Sequence, residues 1–148
     1  MKKPIQPPTH FICLLILLIL FHFIFPIKKI IYSPYNYFGI PLILFGIIIN
    51  LWADQLFKKI KTNVKHHKIP NKLIISGPFK ISRNPMYLGM LSILLGVAIF
   101  QGSIIGFIFS IIFILIIEKK YIPLEEKNMK KTFGKNYLNY KQKVRKWV

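Results

Sequence analysis

Long apolar runs separated by lysine-rich segments constrain this chain more than any other feature. Hydrophobic residues make up 53% of its 148 residues, yet the formal net charge is +18. The lysines lie between the apolar runs, so charge and hydrophobicity are segregated along the chain. Such alternation is typical of helical membrane proteins and argues against a nucleic-acid-binding domain. The predicted fold class is therefore an all-α integral membrane protein.

Four apolar segments are candidate transmembrane helices. They run from about Phe11 to Ile27, from about Tyr37 to Phe57, from Pro85 to Phe100 and from Ser103 to Ile117. The second is long enough to span a bilayer, since ~20 helical residues cross ~30 Å of hydrocarbon. The last two are shorter and are joined only by Gln101-Gly102, so we expect a tight antiparallel helical hairpin.

One domain is expected for a chain of this length. Residues 1–57 would contain two N-terminal transmembrane helices, and residues 58–148 a basic loop, the hairpin and a helical cytosolic tail. Lys2-Lys3 precede the first apolar segment, but no small-residue cleavage site follows it. We therefore expect a retained anchor helix and not a signal peptide.

The distribution of cations predicts the orientation in the membrane. Lys58 to Arg83 carries eight cations and Lys119 to Lys146 carries ten, whereas Gln101-Gly102 carries none. The positive-inside rule then places both termini and the loop before Pro85 on the cytoplasmic side. His66 and His67 are interpreted as part of this solvated basic loop. The expected location is the cytoplasmic membrane of a bacterium.

The segment from Ser76 to Gly89 combines a Gly-Pro turn, two aromatic residues, an arginine and an Asn-Pro helix start. Asn84 is expected to cap the helix that follows, whose N-terminus would suit an anion. Arg83 adds a cation with two parallel donors. Phe79 and Tyr87 offer faces for stacking a planar ring or for contact with a positive centre.

Glu125-Glu126 is an acidic pair in a chain with only four acidic residues, and the predicted topology puts it on the same face as this segment. The two carboxylates would receive an ammonium group or ribose hydroxyls. S-Adenosylmethionine, with a carboxylate, an amine, an adenosine and a sulfonium, would use every part of such a site. A simpler interpretation keeps Asn84 as a helix cap, Tyr87 in the interfacial aromatic belt and Arg83 at lipid headgroups.

Two motifs in the second half of the chain occur in a fixed order. They are Gly77-Pro78-Phe79 with Arg83-Asn84-Pro85-Met86-Tyr87-Leu88-Gly89, and Glu125-Glu126 with Phe133-Gly134, Tyr137 and Tyr140. Together they resemble the signature of the isoprenylcysteine carboxyl methyltransferase and phospholipid methyltransferase superfamily. The resemblance covers residues 71–147, about half of the chain.

This resemblance implies an S-adenosylmethionine-dependent membrane methyltransferase whose acceptor is lipid-like or a small apolar molecule with a carboxylate, amine or thiol. In the family, the cofactor lies between the helical hairpin and the cytosolic tail. The residues that match the family's cofactor-binding positions, together with Arg83, are predicted to bind the cofactor. They are Lys72, Leu73, Ile74, Phe79, Arg83, Asn84, Pro85, Met86, Tyr87, Glu125 and Glu126. No residue is assigned a catalytic role, and no metal site is predicted.

Two positions bear on the acceptor. Many members have histidine where this chain has Asn84, and an amide cannot transfer a proton. Prenylcysteine-specific members have arginine where this chain has Tyr121, which weighs against prenylcysteine as the acceptor. A non-catalytic four-helix membrane protein, either a lipid-binding scaffold or a small channel, is the alternative function. The expected partners are membrane lipids and the methyl acceptor.

The tail is predicted to form two helices. Pro123 would start a short helix that ends at Gly134, where glycine suits a helix terminus. A second helix would run from about Asn136 to Trp147. Its aromatic face would either lie on an anionic membrane surface or cover the cofactor site.

Overall fold

The structure, a computed structural model, describes residues 5–24, 29–60 and 72–148. The α-helices in these ranges are α1 (Pro7–Ile24), α2 (Gly39–Ile60), α3 (Pro85–Gln101), α4 (Ile104–Ile116) and α5 (Ile122–Lys143). No strand forms within the three ranges, which confirms the all-helical character. Lys2-Lys3, Ile27, His66 and His67 lie outside them.

Three short helical turns accompany these helices. The 3₁₀ turns Tyr35–Phe38 and Gly77–Lys80 precede α2 and α3, and a π-helix, Ile117–Tyr121, joins α4 to α5. Two helical stretches, α1 and residues 35–60, are long and apolar enough to cross a membrane. The α3 helix is apolar but shorter.

The predicted start of the first helix and the predicted end of the second were wrong by about a turn. The α1 helix begins at Pro7, before the predicted Phe11, because proline fits the first turn of a helix where no N–H partner is needed. The α2 helix continues to Ile60, beyond the predicted Phe57, and Lys58 there pairs with Asp54 at 2.6 Å. Apolar pattern alone does not mark these polar end turns.

Helices α2 and α3 pack backbone against backbone. A Cβ atom at Gly46 would lie 2.5 Å from the Gly89 carbonyl oxygen, closer than real Cβ atoms approach. Asn50 lies at the same contact and donates from Nδ2 to the Gly46 carbonyl at 2.9 Å. Small residues permit this short separation, and the contact fixes the position of α3 against α2.

The apolar core lies where α1, α3 and α4 meet. Leu18 of α1, Leu94 of α3 and Phe113 of α4 are fully buried there. Gly102, in the left-handed conformation with φ +69°, ends α3 and allows α4 to begin two residues later. Large apolar side chains on the outer faces, such as Phe23 and Ile48, are exposed, as they would be when they contact lipid.

The tail differs from its prediction at both ends and agrees with it in the middle. The π-helix makes α4 and α5 one continuous helical path, so no break precedes Pro123. Gly134 interrupts α5 with φ +49°, at the predicted end of the first tail helix. The helix ends at Lys143, so the predicted extension to Trp147 was wrong. Val144 has an extended backbone and starts a segment, residues 144–148, that we call the terminal segment.

The α2–α3 contact yields a stability prediction. Replacing Gly46 with leucine should force the helices apart and lower the free energy of unfolding by about 1–3 kcal/mol or more, because overpacking displaces backbone. Thermal unfolding of the detergent-purified protein measures the effect. Ile48→Leu, on the exposed face of the same helix, is the matched control and should leave the unfolding temperature unchanged. Equal effects for both variants would contradict the close packing.

Candidate functional site

The two sequence motifs meet at Tyr87 and Glu125. Tyr87 lies in the first turn of α3, and Glu125 lies in the first turn of α5. The Tyr87 hydroxyl donates a 2.6 Å hydrogen bond to Glu125 Oε1, and the tyrosine is only 2% exposed. A bond this short between a phenol and a carboxyl group is a strong one. It holds the start of α5 against the start of α3.

Arg83 and Glu126 form a second connection beside the first. Arg83 Nη2 lies 3.0 Å from Glu126 Oε1, and Lys141 Nζ lies 2.5 Å from Glu126 Oε2. The Arg83 side chain is 9% exposed, and its Nε and Nη1 atoms are buried with no hydrogen-bond partner among the described residues. Buried donors are normally satisfied, so these two atoms are exceptions, and their chemistry is that of donors to an anionic group.

The terminal segment crosses the first motif. The Arg83 backbone N–H donates to the Arg145 carbonyl at 3.0 Å. The Ser82 hydroxyl and Asn84 Nδ2 both donate to the Lys146 carbonyl at 3.1 Å. The prediction that Asn84 caps α3 was therefore wrong, since its side chain forms no cap hydrogen bond. The Asn84 amide instead connects the first motif to the terminal segment through this hydrogen bond.

Glu118, in the π-helix that follows α4, anchors the terminal segment. Trp147 Nε1 donates to Glu118 Oε1 at 3.0 Å, and Lys146 Nζ lies 3.4 Å from that oxygen. The hydrogen bond from Trp147, with the nearby Lys146 charge, lowers the pKa of Glu118 below its ordinary value. Trp147 was predicted to belong to an amphipathic helix, but its contact is with a carboxylate.

The second half of α5 packs on the protein through its tyrosines. Tyr140 donates a 2.7 Å hydrogen bond to the Phe79 carbonyl, and the Phe79 ring meets the edge of Phe57 at 5.5 Å. Burial, with the Glu126 charge as a smaller cause, raises the pKa of Tyr137 to about 12. Burial also raises the pKa of Tyr140. Of the two arrangements considered for this helix, these contacts favour the one in which it covers the site.

An open cavity of about 420 Å³ lies between the two halves of α5 and reaches Glu126. It is lined by Pro123, Glu126, Lys127, Lys130, Tyr137, Leu138 and Lys141. Three of these residues are lysines and one is a glutamate, so cations outnumber anions in a cavity wall that also carries apolar side chains. The side chains at its edge connect it to the Arg83–Glu126 pair described above.

The other predicted site residues lie around these contacts in different environments. Pro85 and Ile74 are buried, Leu73 and Met86 are half-buried, and Lys72 is exposed. None of the five joins Glu125 or Glu126 through a side-chain hydrogen bond or ion pair in the described part of the chain. The structure thus brings together Arg83, Tyr87, Glu125 and Glu126. It does not link the extended segment before Gly77 to the acidic pair through polar side-chain contacts of described residues.

Sequence reasoning missed one polar pair at this end of the helices. The Tyr121 hydroxyl donates to the Ile5 carbonyl at 2.7 Å and lies 3.2 Å from His10 Nδ1. The two rings meet edge to face, with centroids 5.6 Å apart. His10 carries no motif, and 111 positions separate it from Tyr121. No local signal could have revealed the pair.

Comparison with known protein families matches residues 35–136 to the family described as phospholipid methyltransferase. The matched residues make up more than half of the chain and include α2, α3, α4 and the acidic pair. The chain belongs to the phospholipid methyltransferase family. This confirms the superfamily to which the two motifs pointed. An uncharacterized protein of Haemophilus influenzae is 43% identical over 63 residues, which are 43% of this chain and 100% of that protein.

Family membership and the contacts agree on which part of the chain is shared. The family match begins at the turn before α2 and ends shortly after Gly134. The hydrogen bond between Tyr87 and Glu125 lies inside it, whereas His10 and the terminal segment lie outside it. These two flanking pieces are thus features of this phospholipid methyltransferase family member that the match does not cover.

The lowered pKa of Glu118 predicts an acid-induced release of the terminal segment. A depressed pKa stabilises docking above the ordinary carboxyl value of about 4.3, and this contribution is lost as the pH falls through the folded pKa. Trp147 fluorescence in a Trp52→Phe variant should therefore stay constant down to about pH 4 and then shift towards that of an exposed indole.

Glu118→Gln in the same background is the matched control. Glutamine keeps an oxygen for Trp147 but does not titrate, so the fluorescence change below pH 4 should disappear. An identical acid transition in both proteins would show that another group controls the terminal segment.

Proposed function

We propose that this member of the family is a membrane methyltransferase that takes its methyl group from S-adenosylmethionine. The observation that carries the proposal is the buried Arg83 side chain, which keeps two unpaired N–H donors beside an acidic pair. A site that combines a guanidinium group with two carboxylates suits a ligand that carries both an anionic and a cationic group.

The residues present fit S-adenosylmethionine group by group. Arg83 Nε and Nη1 are unpaired N–H donors of a cation, one on each side of the Nη2 atom that meets Glu126, and each can donate to an oxygen of a carboxylate. Glu125 and Glu126 supply acceptors for an ammonium group and for ribose hydroxyls. When bound, S-adenosylmethionine supplies an electrophilic methyl group on a sulfonium centre. The remaining predicted residues, including Lys72, Leu73, Ile74 and Met86, would form the walls of this site.

The chain itself would contribute orientation and exclusion of water. Tyr87 fixes the position of Glu125, and the terminal segment ties Ser82, Arg83 and Asn84 into one arrangement. The second half of α5 lies over Phe79 through Tyr140. Holding donor and acceptor together in a dry, fixed site accounts for a large part of the rate in displacement reactions.

We further propose that residues 1–148 form one domain with four membrane-spanning helices. The length and apolar character of α1 and of residues 35–60 support the first two spans. Exposed apolar side chains on α4, such as Ile108 and Ile111, support a hairpin of α3 and α4 embedded in lipid. Both termini would then lie in the cytoplasm, on the side of the lysine-rich segments.

The acceptor in this proposal is lipid-like or a small apolar molecule that enters from the bilayer between the helices. The family description favours a lipid. The uncharged Tyr121 weighs against a prenylcysteine carboxylate, because no guanidinium stands at that position. Carboxylate, amine and thiol acceptors are distinguished by identifying the labelled product of a methyl-transfer assay on membrane extract.

The donor site yields a binding prediction. Arg83→Lys removes the two unpaired donors, and Glu125→Gln removes a charge, so each should weaken binding of tritiated S-adenosylmethionine about 10- to 100-fold. Equilibrium binding to the detergent-purified protein measures the effect. Asp54→Asn, which breaks an exposed ion pair on α2, is the matched control and should bind like the unchanged protein.

Folding must be checked in the same preparations by thermal unfolding and size-exclusion chromatography. Wild-type affinity in both Arg83→Lys and Glu125→Gln would refute the site. Saturable binding without transfer to any lipid in the extract would instead favour a non-catalytic lipid-binding protein.

A further inference from the structure

His10 and Tyr121 form a polar pair inside an otherwise apolar junction between α1 and the start of α5. Tyr121 is 3% exposed and belongs to the same buried cluster as Tyr87, Leu14 and Ile117. His10 is half-buried in the first turns of α1. Polar groups in such a junction need partners, and the hydrogen bonds around this pair determine the protonation of the imidazole.

The Nδ1 atom of His10 must carry a proton in this arrangement. It lies 3.2 Å from the Gln6 carbonyl oxygen, which can only accept. It also lies 3.2 Å from the Tyr121 hydroxyl, whose own proton is donated to the Ile5 carbonyl. Both neighbours therefore act as acceptors. In the neutral ring, Nε2 then holds the basic lone pair.

This Nε2 atom forms no hydrogen bond with residues 5–24, 29–60 or 72–148. An imidazole held through Nδ1, with a basic Nε2, is the arrangement that enzymes use for a general base. The Gln6 carbonyl and the buried Tyr121 phenol hold the ring, so its orientation does not depend on long mobile side chains. The pair thus has the chemistry of a proton acceptor.

The pair also lies next to the proposed donor site. Tyr121 and Glu125 are four residues apart, so on helical backbone they share a face. Tyr121 and Tyr87 belong to one buried cluster, and Tyr87 is bonded to Glu125. A π-helix ends at Tyr121, and such irregular turns occur frequently at functional sites.

We propose that His10 is the general base of this enzyme, which removes a proton from an acceptor that arrives protonated, such as the ammonium group of a lipid. The proposal rests on the methyltransferase function argued above. The ammonium proton passes to His10 Nε2, and the lone pair so released forms the new bond to the methyl carbon as the methyl–sulfur bond pair returns to sulfur. The imidazolium then gives its proton to water after the product leaves.

Position along the chain distinguishes His10 from His22, the other histidine in the described part of the chain. His22 lies in the last turn of α1, ~18 Å further along the helix at 1.5 Å per residue. Tyr121 acts as a positioning residue, because its oxygen accepts from Nδ1 and does not take the proton. An amine acceptor needs such a base because a protonated amine has no lone pair to attack the methyl group.

The decisive variant is His10→Asn. The asparagine amide nitrogen can replace Nδ1 as the donor to Gln6 and Tyr121, but asparagine has no basic atom. With phosphatidylethanolamine in detergent micelles as acceptor, kcat should fall about 10²-fold or more, as expected for loss of a general base. The affinity for S-adenosylmethionine and the unfolding temperature should not change. His22→Asn is the matched control and should keep the wild-type kcat.

Added imidazole provides a test that does not depend on the asparagine variant folding. His10→Ala should regain activity in proportion to the imidazole concentration, because the free base can occupy the space left by the side chain. A purely structural role for His10 would give no such rescue. Tyr121→Phe should lower kcat less than His10→Asn, since Gln6 still holds Nδ1.

Each result separates this proposal from the one on which it rests. If the wild-type protein does not bind S-adenosylmethionine, the proposed function fails first. If it binds the donor and methylates phosphatidylethanolamine, but His10→Asn retains the wild-type kcat, only the role of His10 is refuted. Donor binding by the wild-type protein with no transfer to phosphatidylethanolamine or to its N-monomethyl derivative also overturns it.

Discussion

The hydrogen bond from Tyr87 to Glu125 is the contact on which the arrangement of the site depends. It joins the start of α3 to the start of α5 across 38 positions of sequence, in a junction whose other members are mostly apolar. A carboxyl group at such a place must find a strong partner, and the buried phenol provides one. The Arg83–Glu126 ion pair lies beside it, so the two motifs meet at two adjacent contacts.

Two irregular turns allow α5 to reach that position. The π-helix at Ile117–Tyr121 carries the chain out of α4 without a loop, and Gly134 then redirects the second half of α5 over the 77–84 segment. The terminal segment completes the enclosure by bonding to Ser82, Asn84 and Glu118. The site is therefore held by backbone geometry and by a few polar contacts.

Local chemistry predicted which side chains of the two motifs come together. The motif residues Arg83, Tyr87, Glu125 and Glu126 were selected by residue type and order, and in the structure they contact one another. Asn84 was misinterpreted, because the acceptor of its amide is a carbonyl 62 positions away. Trp147 was misplaced for the same reason, since it lies beyond the end of α5 and is held there by Glu118, 29 positions away. His10 was missed because its partners, Tyr121 and a backbone carbonyl, are recognisable only after folding.

The sequence by itself determined the helical class, the apolar segments and the two motifs, because these follow from hydrophobic pattern and from residue types a few positions apart. Tertiary structure alone decided which donor meets which acceptor: Tyr87 with Glu125, Asn84 with the terminal segment, and His10 with Tyr121. The physical reason is that a buried polar group must be satisfied by whatever partner the packing of distant helices brings within about 3 Å, and sequence spacing carries no record of that packing.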